Sequence, residues 1–155
     1  MIRRSGSERL PLVAMAMAQL GDRQAAIAAL NRALKVQAEL TVDGRVDLAG
    51  AHCYLFHLDA ARELLEALLQ EQPNHALAQA RLAWVLLQFG ELERAEQLYQ
   101  SSAALADHRL PVWLALVRLA LQKEDSAGAE LALHRAQAKL AEGKQRISAQ
   151  VGDLF

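Results

Sequence analysis

Apolar residues along the chain repeat on two scales. Within short windows they fall at spacings of three and four, as in Leu82, Ala83 and Leu86, which is the signature of one face of a helix. Over longer distances the same faces return in phase. Alanines at Ala26, Ala61, Ala95 and Ala129 are separated by 35, 34 and 34 residues. Four residues beyond each stands Leu30, Leu65, Tyr99 or Leu133, and three further on stands Ala33, Leu68, Ser102 or Ala136. Upstream, Val13, Leu48, Leu82 and Leu116 keep the same period, each followed by Ala14, Ala49, Ala83 or Val117. A fixed period of this length predicts stacked supersecondary units.

Each unit reads as two helices joined by a turn. In the first unit the turn is Gln19-Leu20-Gly21-Asp22 and in the third Gln88-Phe89-Gly90-Glu91. Glycine just past a helix end takes the left-handed conformation that pairs the last carbonyls without a Cβ clash. Between units, Pro73-Asn74 and Leu110-Pro111 end one helix and begin the next. The second and fourth turns carry Phe56-His57 and Lys123-Glu124-Asp125 where glycine is expected, which predicts distortion there.

The pattern resembles the tetratricopeptide repeat family. Trp113, Leu116, Val117, Ala120, Ala129 and Leu133 carry it in the fourth unit; Leu82, Ala83, Leu86, Gly90, Ala95 and Tyr99 carry it in the third; Pro73 closes the second. The resemblance implies an all-α, right-handed α-α superhelix, or solenoid, of about four helix-turn-helix repeats. They span residues 7–41, 42–75, 76–109 and 110–143. Residues 144–155, with Ile147, Val151, Leu154 and Phe155 on one face, read as a capping helix or the start of a further repeat.

Composition agrees with an all-helical chain. Of 155 residues 31 are Ala and 29 Leu, the strongest helix formers, against 3 Pro. A net charge of -1 gives no general attraction to phosphate backbones, so nucleic acid is not an expected partner. Cys53 is the one cysteine, which excludes an internal disulfide and suits a reducing compartment. Arg3 and Arg4 before the apolar stretch Leu10–Ala18 resemble a targeting signal, but the stretch is needed as the first helix of the first unit, so cleavage is not expected. No apolar run reaches the ~20 residues that span a bilayer. The reading is a cytoplasmic protein, with periplasmic or secreted placement second.

Little points to catalysis. His52, Cys53 and His57 are close in sequence, but a spacing of five turns the two imidazoles apart on a helix, and a polar helix edge is the plainer reading than a metal site. His75, His108 and His134 are isolated. No Gly-x-Ser-x-Gly or phosphate-binding glycine loop is present. Glu91 and Glu93 suit a helix N-terminus as a solvated face. No metal, cofactor or catalytic residue is assigned.

The resemblance implies that the first helices line a concave surface holding an extended or helical peptide. One stripe of each such helix then forms the binding face: Glu8, Leu12, Met15 and Gln19; Asp43, Asp47, Gly50 and Tyr54; Leu77, Arg81, Trp84 and Gln88; Pro111, Ala115, Arg118 and Gln122. From these the candidate groove residues are Leu12, Met15, Gln19, Asp47, Tyr54, Leu77, Arg81, Trp84, Gln88, Arg118 and Gln122. Acids toward the N-terminal half (Glu8, Asp43, Asp47) and arginines toward the C-terminal half (Arg81, Arg118) predict a bipolar groove. Trp84, with Tyr54 and Met15, is the expected hot spot, against a reading in which Trp84 and Tyr54 fill inter-repeat core. Only Arg81 stands where some relatives hold a terminal carboxylate, so that mode is not expected.

The functional reading is a non-catalytic scaffold, adaptor or chaperone-like module that binds a peptide or helix of another protein and is also able to self-associate. Bacterial secretion chaperones, pilus-assembly factors and signalling adaptors use such repeats. The alternative is the docking portion of a larger enzyme, such as a transferase, or an assembly or secretion factor; the ending at Leu154-Phe155 favours a truncated larger chain.

Overall fold

The computed structural model describes the backbone of residues 6–106 and 110–152, with side chains to residue 146. Arg3, Arg4, His108 and the apolar face of Ile147, Val151, Leu154 and Phe155 lie outside the described side chains. Among the described residues there are eight α-helices and no strand: α1 (Gly6–Gln19), α2 (Arg23–Lys35), α3 (Val42–Tyr54), α4 (Leu58–Glu71), α5 (Ala76–Gln88), α6 (Leu92–Leu105), α7 (Leu110–Gln122) and α8 (Ser126–Gly152). Each helix packs on its successor, so the chain is an all-α superhelical stack of antiparallel pairs. The marker residues of the period are its core: Ala26, Ala61, Ala95 and Ala129 are all buried, as are Leu48, Leu82 and Leu116.

All four turns inside the pairs have the same geometry. In each, the residue after the helix is left-handed: Gly21 at φ 82°, Phe56 at 58°, Gly90 at 78° and Glu124 at 58°. The following N–H then reaches back to the same helical carbonyl, from Asp22 to Met17 at 2.9 Å, His57 to His52 at 2.9 Å, Glu91 to Leu86 at 3.0 Å and Asp125 to Ala120 at 2.9 Å. The distortion expected at the second and fourth turns is therefore absent. The hydrogen-bond requirement of the helix end outweighs the steric cost of a side chain at positive φ, and Phe56 and Glu124 carry that cost.

Two further expectations are corrected. α8 continues through Gly143 without a break, so residues 144–152 extend it rather than forming a separate helix. Glycine inside a helix costs only ~1 kcal/mol against alanine and needs a second signal, such as proline, to stop it. The imidazoles of His52 and His57 also do not diverge, because left-handed Phe56 folds the chain back over α3 and brings the rings to 5.7 Å between centroids.

The first helices do not lie equally close. α1 runs along α3, α5 touches α3 more lightly, and α7 splays from α5. Small residues permit the close approach at the N-terminal side: Gly50 on α3 leaves no space for a Cβ between Met15 and Arg81. Bulky Trp84 and Leu87 on α5 hold the other side open.

Candidate protein-binding groove

The splay leaves a concavity of about 620 Å3 walled by α3, α5 and α7. Five of the expected groove residues line it: Tyr54, Leu77, Arg81, Trp84 and Arg118. Sequence reasoning missed Phe56, Leu87, Tyr99 and Leu114, which line it too. Phe56 could have been found from the period, since it occupies the position of Gly21 and Gly90, where a large side chain has to project from the turn. Its ring is exposed and meets Trp84 edge to face at 5.9 Å. Trp84 packs one side on the core and presents the other to the concavity.

Arg81 is not a free ligand. Its Nη1 donates to the Val46 carbonyl at 2.5 Å and lies 3.5 Å from Asp47 Oδ1, while Nη2 stands 3.7 Å from Met15 Sδ. Asp47 is buried, so Asp47 and Met15 sit behind the groove wall and fix the guanidinium. The remaining expected residues are placed elsewhere. Leu12 is half-buried and Gln19 exposed on α1; Gln122 is exposed at the end of α7; the Gln88 amide donates back to the Trp84 carbonyl at 3.4 Å. None of these four lines the concavity.

The bipolar groove is also corrected, because the acids are consumed in contacts between repeats. Buried Glu8 accepts from the Thr41 N–H at 2.6 Å and the Thr41 hydroxyl at 3.0 Å, and that hydroxyl in turn accepts from the Gly44 N–H to cap α3. Asp43 pairs with His75 at 3.1 Å. Burying the Glu8 carboxylate is tolerable only because it is bonded in this way, whereas the Asp43 carboxylate stays largely exposed. Glu91, read as solvated, instead bridges Arg62 at 2.7 Å and Arg94 at 3.0 Å. What remains charged in the groove is Arg118, exposed and close enough to Tyr99 to oppose the effect of burial on its phenol.

Neither of the two buried potential nucleophiles at the concavity, Cys53 and Tyr99, is activated. Burial pushes the Cys53 thiol up to about 11 despite the nearby charge of Arg81, and the Tyr99 phenol up to about 12. Thiolate, the reactive form, is then scarce at neutral pH. Among the described residues no three His, Cys, Asp or Glu side chains gather as metal ligands, and no helix is long and apolar enough to cross a membrane.

Comparison with known proteins follows the same lines. Residues 56–107 match the family profile described as Tetratricopeptide repeat. No curated protein sequence matches the chain. Among solved structures, TTC0263, a thermophilic TPR protein in Thermus thermophilus, is 20% identical over 97% of this chain and 83% of its own, with a TM-score of 0.74. MamA 41-end from Desulfovibrio magneticus RS-1 is 20% identical over 88% of this chain and 76% of its own, at 0.69. The human IFIT1 dimer with PPP-AAAA is 17% identical over 85% of this chain and 32% of its own, at 0.73. The profile matches the second turn, α4 and the third helix pair, and over most of its length the chain shares the all-α superhelical fold of these solved structures.

Proposed function

We propose that the concavity between α3, α5 and α7 binds an apolar segment, extended or helical, of another protein, and that the chain is a non-catalytic scaffold. The fold is one typical of protein–protein interaction modules. The observation that carries the reading is the concentration of incompletely buried large side chains on one concave wall: Tyr54, Phe56 and Leu114 are 48%, 65% and 49% exposed, with half-buried Trp84 between them. Aromatic residues of this kind supply much contact area at little entropic cost. Arg81 is already paired, so it adds rigidity rather than ligand charge, and Arg118 alone favours an acidic group at one end of the bound segment. A single uncompensated cation also argues for protein over nucleic acid, whose binding needs several phosphate contacts.

The test is selection of binding peptides from a displayed random library, followed by calorimetric titration with wild-type, Trp84→Ala and Leu114→Asp chains. Selected peptides should be apolar with an acidic residue, and each substitution should weaken binding at least tenfold, a loss of about 1.4 kcal/mol or more. Peptides that bind both variants as well as the wild type would defeat the groove reading. Arg81→Glu is a poor probe, because reversing that charge beside Asp47 disturbs the wall itself.

A further inference from the structure

The floor of the concavity differs from its walls. Among the described residues that line it, Tyr99 alone comes from a second helix of a repeat, α6; the others belong to α3, α5, α7 or the turn after α3. Leu30 and Leu65 stand at the same position in the two preceding repeats, so packing calls for a large apolar side chain there and gives a hydroxyl nothing to do. Tyr99 is 5% exposed, and among the described residues its hydroxyl makes no hydrogen bond. A donor withdrawn from water and left unbonded costs stability that an acceptor on a ligand would return.

Arg118 on α7 lies close enough for its charge to act on that phenol, and so does Cys53 on α3. Arg118 is exposed and forms no ion pair or hydrogen bond among the described residues. Burial keeps the phenol protonated, pushed up to about 12, and the thiol up to about 11. All three groups therefore hold their protons at neutral pH. Among the described residues no carboxylate, side-chain amide or imidazole lines the concavity, and Arg81 is already paired with Asp47. A ligand group seated here has to bring the acceptors itself, together with the negative charge that Arg118 lacks.

We infer that the Tyr99 hydroxyl and the Arg118 guanidinium together hold one side-chain carboxylate, from Asp or Glu, of the segment bound in the concavity. This rests on the proposed peptide binding and adds a second anchor to it. Arg118 supplies the charge, while Tyr99, fixed by its packing, donates along one direction, so the acidic residue becomes a requirement at a single position of the segment. The carboxylate belongs to a side chain and not to a chain end. Apolar surface continues on both sides of Arg118, with Trp84 and Phe56 across the concavity and Leu114 and Ala115 along α7, and no side-chain amide is there to hold a terminal main chain. A phosphate, with about two charges, would leave one of them unmatched by a single cation.

Selection from a displayed random peptide library, run in parallel on wild type, Tyr99→Phe and Arg118→Met, tests it. Tyr99→Phe should melt no lower than wild type, because its hydroxyl has no bond to lose, and Arg118 is exposed, so both variants keep the fold. Peptides selected by the wild type should carry Asp or Glu at one fixed position between apolar residues, and those selected by Arg118→Met should not. The tightest wild-type peptide, synthesised with a blocked C-terminus, should bind either variant about tenfold more weakly, and its carboxamide analogue should lose about as much on the wild type. That analogue should bind Tyr99→Phe no more weakly than it binds wild type, since the contact is already gone. A peptide weakened by Trp84→Ala but indifferent to Tyr99→Phe would overturn the inference and leave the groove reading standing. Loss of binding on blocking the C-terminus, with the carboxamide analogue unaffected, would overturn it in favour of a terminal carboxylate. A Tyr99→Phe chain that melts below wild type would show the hydroxyl bonded within the protein, with the same result. No peptide selected by the wild type, or none sensitive to Trp84→Ala, would sink both readings.

Discussion

Gly50 lies directly beneath the guanidinium of Arg81: a Cβ on Gly50 would stand 2.8 Å from Arg81 Cζ and 2.6 Å from Met15 Sδ. A side chain there has to displace the Met15 thioether and strain the guanidinium against the Val46 carbonyl and Asp47. Gly50→Ala should cost ~2 kcal/mol, the price of overpacking a filled site. Arg81→Met should cost ~3 kcal/mol by leaving buried Asp47 without its guanidinium. Urea unfolding measures both. If Gly50→Ala unfolds at the wild-type midpoint, the guanidinium is not held as described.

The left-handed turns give a pair of opposite outcomes. Glu124→Gly should raise stability by ~1 kcal/mol through relief of its Cβ clash, and Gly90→Ala should lower it by a similar amount. Thermal melts of the two variants check this, and equal melting temperatures would contradict the strain assigned to Glu124.

Acid sensitivity should centre on His52. It is buried, its Nδ1 has no hydrogen-bond partner, and burial first, then the neighbouring His57, holds its pKa below the ordinary imidazole value of 6.5. The unfolded chain takes up the proton near 6.5 while the folded chain does so only at lower pH. The stability tied to neutral His52 is thus fully present above 6.5 and is lost as pH falls from there through the folded pKa, by at most ~1.4 kcal/mol per pH unit. His52→Leu should flatten this part of the pH profile and be no less stable at neutral pH. A profile unchanged by His52→Leu would assign the acid sensitivity to another group.

Cys53 should resist alkylation in the native chain at pH 8, because its thiol is largely protonated and partly buried, and should react readily in denaturant. Mass spectrometry after brief iodoacetamide treatment reads the difference. Rapid native labelling would contradict the environment described.

The fold was legible because one signal, the period carried by Ala26, Ala61, Ala95 and Ala129, fixes both the helices and their stacking. The groove was half legible. Tyr54, Trp84 and Arg118 were found since helical spacing sets which way they face, but Phe56 projects from a turn, where helical spacing says nothing. The misread charges share one cause. Asp47 and Arg81 are one full period apart, and Glu8 and Thr41, like Asp43 and His75, nearly so. Residues one period apart are neighbours in a stacked-repeat protein, so a polar side chain finds a partner in the next repeat: an opposite charge for Asp47, hydrogen-bond donors for Glu8, an imidazole for Asp43.

α3 has two faces that serve different partners. Leu48, Ala51 and Leu55 join the apolar cluster of α1 and α2, whereas Val46 and Ala49 join the larger cluster that runs from α4 to α8. In a quasi-linear stack each cluster behaves as its own cooperative unit. The amides of α1 and α2 can therefore exchange with solvent through a partial opening that leaves α5 and α7 folded while baring Leu48, Ala51 and Leu55 of α3. Two walls of the concavity then outlast the N-terminal hairpin, and the third, α3, is the one through which a loosening of that hairpin reaches the binding surface.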